Sequence, residues 1–583
     1  MIDKERRAAL NNNRPTLSAC MIVKNEEKFL SQCLTSMKGA VDEIIVVDTG
    51  STDSTVEIAR SFGANVYHHP WNNSFSEARN HSLEYARGDW ILQIDADETL
   101  EQSDIPLLHK LINDNSYNVI FVAIYNELPG GCAKHYFQRI FRRGKAHFEG
   151  IVHNQLIFEG KVLQSEIRFY HYGYNLSGQE MQKKYKRTGD LLRQQLADNP
   201  DNLFIMANLI RNYRNEYDFD KVIDFAENGL KISASQTDIV SKNQRQRISI
   251  DLAHALINKN LIDKAELVCK KALIENPDSF DILLVLGEVF IKKGFFKDAL
   301  PCFKKYLILK EKDNKDPSFF LLSSDFYQYE HMVYNHIGEC YKHLGETREA
   351  IVAYKKAIEL NNKNPLYYSN LIDLYISQNS FSNAKDLTFT AIKSGVANHV
   401  IYYLLGRIYA AEGKINDAID ACKQSIKMDN TNIPAHSHLI NLLIQINRLD
   451  EATIILKGIL SLYPDEFTFS CLMERIKYKQ GDKESPACFV RNILRSKPSG
   501  RDIYLQLGDL CIEMEQYAAA IEVFERYLEI SSDTDATVIA NIAVCYAKQG
   551  KLESALFGFQ SALKLDPNCV VALQNLAALK TNA

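Results

Sequence analysis

An α/β domain followed by an all-α repeat array is the architecture that this 583-residue sequence predicts. Three observations carry the expectation. Strand-like and helix-like runs alternate from residue 16 to about 175, two of the strand-like runs end in carboxylates, and small residues recur every 34 positions from about residue 200. A chain this long holds roughly two to four domains.

The first elements follow from hydrophobic spacing. Leu17–Val23 reads as a strand. Glu26–Met37 has helical spacing, with Phe29, Leu30, Cys33, Leu34 and Met37 on one face. Glu43–Val47 is a second strand, and Thr52–Phe62 a helix with a capping box at Ser54-x-x-Glu57. Asn65–His68, Phe75–Ala86 and Trp90–Ile94 read as strand, helix and strand. This βαβα order predicts a largely parallel sheet. After Asn118 come short β-like runs at Val119–Tyr125, Tyr136–Phe141, Gln155–Phe158 and Ile167–Tyr170, expected as an antiparallel extension carrying acceptor-side residues.

The second half repeats. A small residue and an alanine twelve positions later recur at Ala253/Ala265, Gly287/Ala299, Gly338/Ala350, Gly406/Ala418, Gly508/Ala520 and Ala543/Ala555. Ala350, Ala384, Ala418 and Ala452 are each 34 apart, the period of tetratricopeptide helix-turn-helix units. Small residues belong where the two helices of a unit cross closely, and Pro277, Pro464 and Pro567 stand where second helices stop. Residues 201–235 form a weak first unit, 314–328 an insertion, and 467–500 a degenerate unit with Pro486 near the usual alanine. The expected division is a tail over 1–15, the α/β domain over 16–175, a helical linker over 176–200, and about nine or ten units over 201–583, closed by a helix from Val570.

Composition narrows the function classes. A net charge of −5 leaves no basic footprint for nucleic acid. No apolar run of about 18 residues is present, so no membrane span is expected. Met1–Pro15 is charged and Asn-rich, unlike a secretory signal. The twelve cysteines include no CxxC pair and read as small buried hydrophobes in a reducing compartment. The expected location is cytoplasmic.

The chemistry concentrates in Gln93-Ile94-Asp95-Ala96-Asp97-Glu98. Carboxylates two residues apart on extended chain point the same way, and past a buried strand they can hold a divalent cation against phosphates. A second acidic strand end, Asp48-Thr49-Gly50-Ser51-Thr52-Asp53, points to a nucleotide site at the carboxyl edge of the sheet.

Ala19-Cys20-Met21-Ile22-Val23-Lys24-Asn25-Glu26-Glu27, then Asp48–Asp53, Ala78-Arg79-Asn80 and Asp95-Ala96-Asp97, taken in order, resemble glycosyltransferase family 2 over residues 16–175. The resemblance implies a GT-A (Rossmann-like) fold, a nucleotide-sugar donor such as a UDP-sugar, a divalent metal (Mn or Mg) bound at the DxD motif, and inversion at the anomeric carbon. Arg139-Ile140-Phe141-Arg142, Phe148-Glu149-Gly150-Ile151-Val152-His153 and His171-Tyr172-Gly173-Tyr174 resemble the tetratricopeptide-fused members. That group includes S-glycosyltransferases that modify bacteriocin peptides.

The resemblance and the chemistry together name candidates. Glu26 lies in the first donor motif. Asp48 can accept hydrogen bonds from base or ribose; its bland role is to cap a loop. Arg79 suits a diphosphate, with a surface salt bridge as the alternative. Asp95 is expected to face ribose and metal, Asp97 to ligate the metal, and His171 to complete its shell. Trp71 and Phe75 either wall the donor pocket or pack in the core. An inverting transfer needs a group to take the acceptor's proton. The subgroup usually reads His-Glu where this chain reads His153-Asn154, so Glu149 and His153 remain as candidate bases, Glu149 the favoured one. On extended chain those two would share a face.

The implied partners are the donor and a protein or peptide acceptor recruited by the repeat groove, with a homodimer through the repeats as another use for them. A lipid-linked or free saccharide acceptor, and a non-catalytic scaffold, are the competing readings.

Overall fold

The computed structural model describes residues 14–128, 131–150, 155–173, 178–236, 239–315, 324–496, 498, 500–531 and 535–581. Its N-terminal part is built on one eight-stranded sheet. The strands are β1 (Leu17–Val23), β2 (Glu43–Asp48), β3 (Asn65–His68), β4 (Trp90–Gln93), β5 (Glu98–Leu100), β6 (Val119–Leu128), β7 (Gly131–Arg142) and β10 (Val162–His171), in the order β3-β2-β1-β4-β7-β6-β10-β5. β8 (Ala146–Glu149) and β9 (Gln155–Phe158) form a separate hairpin.

Strand alternation explains why both faces are covered. Leu17, Ala19, Met21 and Val23 point to one side, onto α1 (Leu30–Ser36) and α4 (Ile105–Ile112) through Leu30, Leu34, Leu108 and Ile112. Cys20, Ile45 and Ile91 point to the other, against Leu83 and Tyr85 of α3 (Phe75–Tyr85) and against Phe148 and Leu156 of the hairpin.

β1 to β4 are parallel, as the βαβα reading predicts. The later strands are not purely antiparallel. β7 runs antiparallel to β4 and β6, but β10 runs parallel to β6. The β8–β9 hairpin lies between β7 and β10, so the chain returns to the sheet by a crossover rather than a tight turn.

Two helix starts also differ from expectation. α1 begins at Leu30, because Asn25 leaves β1 at φ 58° and Glu26–Phe29 form a turn. α2 (Thr55–Ser61) is not held by the expected capping box: Ser54 makes no side-chain cap, and Asp53 instead accepts from the Thr55 amide at 3.0 Å.

The chain divides into two compact units, Met1–Asn361 and Asn362–Ala583. Among the described residues the first holds the sheet, α5 (Gly178–Asp198) and four helix pairs, and the second holds six pairs and a last helix, Val570–Thr581. α5 is part of the helical core, since its Leu192 is buried with Leu203, Met206 and Leu209, and Phe75 of α3 packs on the same cluster. Phe75 is thus a packing residue.

The insertion has a defined end. Ser324 exchanges backbone hydrogen bonds with Lys134 of β7, at 2.9 and 3.0 Å, and Gln328 donates to Cys132. Asp281 accepts from the Ser324 hydroxyl at 2.6 Å and from the amides of Asp325 and Phe326.

The 34-residue period has a direct cause. A Cβ at Gly287 would lie 2.5 Å from the Phe303 ring, one at Gly338 2.7 Å from Tyr354, one at Gly406 2.7 Å from Cys422 Sγ, and one at Gly508 2.3 Å from Phe524. Each glycine meets the side chain sixteen positions later on the second helix of its pair. Gly508→Ala is therefore expected to destabilise its repeat by about 1–3 kcal/mol through overpacking, seen as a lower chemical-denaturation midpoint. An unchanged midpoint would show that the crossing has slack.

Candidate active site

Sheet register assembles the site at the carboxyl ends of the strands. β10 lies between β6 and β5, and its last residue, His171, pairs with Asn126 on one side and Glu98 on the other. The Asp95–Asp97 turn enters β5 directly. Tyr172 donates its amide to the Asp97 carbonyl at 2.9 Å, which ties the turn to the chain leaving β10.

Two charge groups result. In the first, Asp95 is gripped by Arg79 at 2.6 Å and Arg139 at 3.1 Å, and Arg139 also holds Glu98 at 2.5 Å. Glu98 is only 2% exposed and accepts from the Asp95 amide. Burial pushes the Asp95 carboxyl up, but Arg79 and Arg139 outweigh it and hold it well below the usual range. Glu98 goes the other way: burial, with Asp95 close by, lifts it above the usual value despite Arg139.

In the second group, Asp97 Oδ2 lies 3.2 Å from His171 Nε2, and His171 Nδ1 lies 2.8 Å from Asn126 Oδ1. Burial lowers the His171 pKa, but the hydrogen bond and charge of Asp97 outweigh it, and the ring stands above its ordinary value. A Cβ at Gly173 would lie 2.1 Å from Asp97 Oδ2 and 2.8 Å from His171 Nε2, so only glycine lets these two groups pack this close to the chain leaving β10.

The Asp97 carboxylate is a donor that suits Mn or Mg, and the His171 nitrogen 3.2 Å from it is a further nitrogen donor within reach of the same ion. Among the described residues no group of three His, Cys, Asp or Glu side chains is arranged as a metal cage. Mg-type ions commonly take one or two carboxylates and fill the rest of the shell with phosphates and water, so a two-residue donor set would be compatible with one.

Cys33, beneath this turn, registers the local field. Burial raises its thiol most, followed by Glu98, Asp97, Asp95 and Glu26. The Glu26 amide donates to Thr55 Oγ1 at 2.7 Å.

The remaining candidates lie around this centre. Asp48, 4% exposed, accepts from the Ser51 amide at 3.0 Å and faces His68 Nδ1 at 3.0 Å, so it caps its own loop. Burial pushes its carboxyl up, and hydrogen bonds from Ser51, His68 and Gly50 bring it below the ordinary value. Arg79 lies over the Phe148 ring, and Asn80 exchanges two hydrogen bonds with the Phe148 backbone, fixing β8 to α3. Glu149, next to Phe148, is exposed and ion-paired with His147 at 3.0 Å. His153 and Asn154 lie outside the described residues, so the shared face expected for Glu149 and His153 does too.

Sequence reasoning brought Asp95, Asp97, Arg79 and His171 to this place. It gave no role to Arg139, although the surrounding motif was visible, and none to Glu98 or Asn126. Arg139 sits in a strand-like run and Asn126 just past the end of one, where only the pairing register reveals what they face.

Residues 18–167 match the family model described as glycosyl transferase family 2, and residues 331–364, 409–470 and 511–580 match tetratricopeptide repeat models. The chain is similar to a TPR repeat-containing protein of Synechococcus elongatus, 33% identical over 230 residues, covering 37% of this chain and 56% of the relative. It is also similar to the SPbeta prophage-derived glycosyltransferase SunS of Bacillus subtilis, 33% identical over 200 residues, covering 33% of this chain and 47% of the relative. An uncharacterized glycosyltransferase of Rickettsia typhi is 43% identical over 91 residues, or 15% of this chain and 29% of that one. The chain thus spans about half the length of the first two relatives. Among the described residues no helix is long and apolar enough to cross a membrane. Residues 18–167 thus form a glycosyl transferase family 2 domain, and residues 331–364, 409–470 and 511–580 are tetratricopeptide repeats.

Proposed function

We propose that the protein transfers a sugar from a nucleotide-sugar, a UDP-sugar, to a protein or peptide acceptor, with inversion and with the help of Mn or Mg. The observation that supports this most is the Asp97–His171 pair packed against Gly173, beside an Asp95 fixed by two guanidinium groups. In this reading residues 16–175 carry the chemistry, 176–200 connect, and 201–583 recruit the acceptor. The similarity to SunS, named as a glycosyltransferase, supports the same reaction class.

Asp97 and His171 would hold the cation, which when bound neutralises charge on the departing diphosphate. Asp95, held rigid by Arg79 and Arg139, would orient the donor's ribose, and Asp48 and Glu26 would receive the rest of the nucleotide. The acceptor's heteroatom attacks the anomeric carbon, the bond from that carbon to the diphosphate oxygen breaks, and the acceptor's proton passes to a base. Glu149 and His153 are the candidate bases. A thiol acceptor needs less help, since thiols ionise near pH ~8.5.

The reading is tested on the full chain, because a cut near Asn199 would strip Leu192 and Phe75 of the helices they pack against. Labelled UDP-sugar incubated with protein, Mn and cell lysate is expected to mark a protein band. Label in the organic phase would favour a lipid-linked acceptor, and donor left intact throughout would favour a scaffold. Glu149→Gln is expected to slow transfer by about 10²–10⁴-fold, the usual contribution of a general base, with donor binding unchanged. If His153→Ala does so instead, the base is His153.

A further inference from the structure

Asn126 stands out because the metal reading does not use it. It lies near the end of β6, 9% exposed, after a run in which Val119, Ile120, Val122, Ala123 and Ile124 are buried and apolar. The parallel β6–β10 register sets it directly beside His171, and its Oδ1 is 2.8 Å from His171 Nδ1. An amide oxygen is an acceptor, so Nδ1 is the nitrogen that carries hydrogen. A neutral imidazole has one N–H; with that proton on Nδ1, the lone pair belongs to Nε2. Nε2 is the nitrogen 3.2 Å from Asp97 Oδ2, and both pack against Gly173, where a Cβ would strike them.

We propose that Asn126 is a positioning residue that fixes the ring orientation and tautomer of His171, so that Nε2 presents its lone pair to a divalent cation shared with Asp97. The proposal rests on the reading of Asp97 and His171 as cation ligands given above. Metal-bound histidines commonly donate their second N–H to an acceptor that sets the tautomer, and that acceptor is often a carboxylate. An amide does the same here without adding negative charge to a place that already holds Asp95, Asp97 and Glu98.

The test uses the full chain with Mn(II) and UDP as probes. Asn126→Ala is expected to weaken Mn(II) binding in the presence of UDP by about 10–100-fold, the usual effect of removing such a partner. Asn126→Asp keeps an acceptor oxygen at the same place and is expected to restore most of the affinity. In 15N-histidine-labelled protein loaded with diamagnetic Mg(II) and UDP, His171 is expected to carry hydrogen on Nδ1 in the wild type and to lose that signature in Asn126→Ala. A merely structural asparagine would move neither the tautomer nor its rescue by aspartate. Equal Mn(II) affinity in wild type and Asn126→Ala, or no rescue by Asn126→Asp, would overturn the proposal while leaving the wider reading intact. A wild-type protein that binds no Mn(II) with UDP would overturn both.

Discussion

Asp97→Asn is expected to abolish most donor turnover while leaving the fold unchanged. The substitution keeps the size of the side chain and removes the charge that faces His171. Neutralising a leaving diphosphate through a bound cation is worth several kcal/mol, and each ~1.36 kcal/mol is tenfold in rate, so the loss should reach roughly a hundredfold or more. The fold should survive because Asp97 lies at the carboxyl end of the sheet, and Asn keeps the side chain's shape there. Both tryptophans, Trp71 and Trp90, lie in the α/β part, so their fluorescence reports its unfolding alone. Full turnover in the variant would remove Asp97 from the mechanism; a lowered unfolding midpoint would make it structural.

Arg139→Met should act in the opposite way, on stability first. The guanidinium is 11% exposed and is shared by Asp95 and the almost fully buried Glu98. Removing one member of a buried charge pair leaves the other unpaired, at a cost of about 3–5 kcal/mol. The lower end applies here, because Arg79 still holds Asp95 and Glu98 can take up a proton. Glu98 already stands above its ordinary value, through burial and then Asp95, with Arg139 opposing; without Arg139 it should rise further. An acid whose folded pKa is raised contributes most stability below its unfolded value, about 4.3, and loses it as pH rises through the folded one. The variant should therefore fall further behind the wild type at about pH 8 than at about pH 5. Tryptophan-detected urea unfolding at the two pH values measures this, and equal midpoints for variant and wild type at both would show that Arg139 carries no buried charge pair.

The sequence was most legible where a local pattern has one physical cause. The parallel β1–β4 half follows from alternation and strand length. The repeats follow from glycines such as Gly287 and Gly508, whose Cβ atoms would strike Phe303 and Phe524. The acidic turn was legible because Asp95 and Asp97 follow a buried strand. What escaped depends on partners distant in sequence. Asp53 caps the start of α2 through the Thr55 amide, while Ser54 makes no bond to the amide three residues on that a capping box needs. The direction of β10 turned on a hairpin that intervenes before it. Arg139 and Asn126 became site residues only when β7 and β6 took their places beside β4 and β10. Asp48 is the reverse case. Its loop-capping bonds are in place, and the same carboxylate remains the proposed contact for the nucleotide.

The most direct measurement is hydrolysis of UDP-sugar by the purified full chain, followed as released UDP, with Mn and then with excess chelator. The account predicts slow turnover with Mn, none with chelator, and recovery when Mn or Mg is added back in excess. Turnover that is unaffected by chelator would contradict a cation held by Asp97 and His171, and no turnover of any nucleotide-sugar under either condition would contradict the transferase itself.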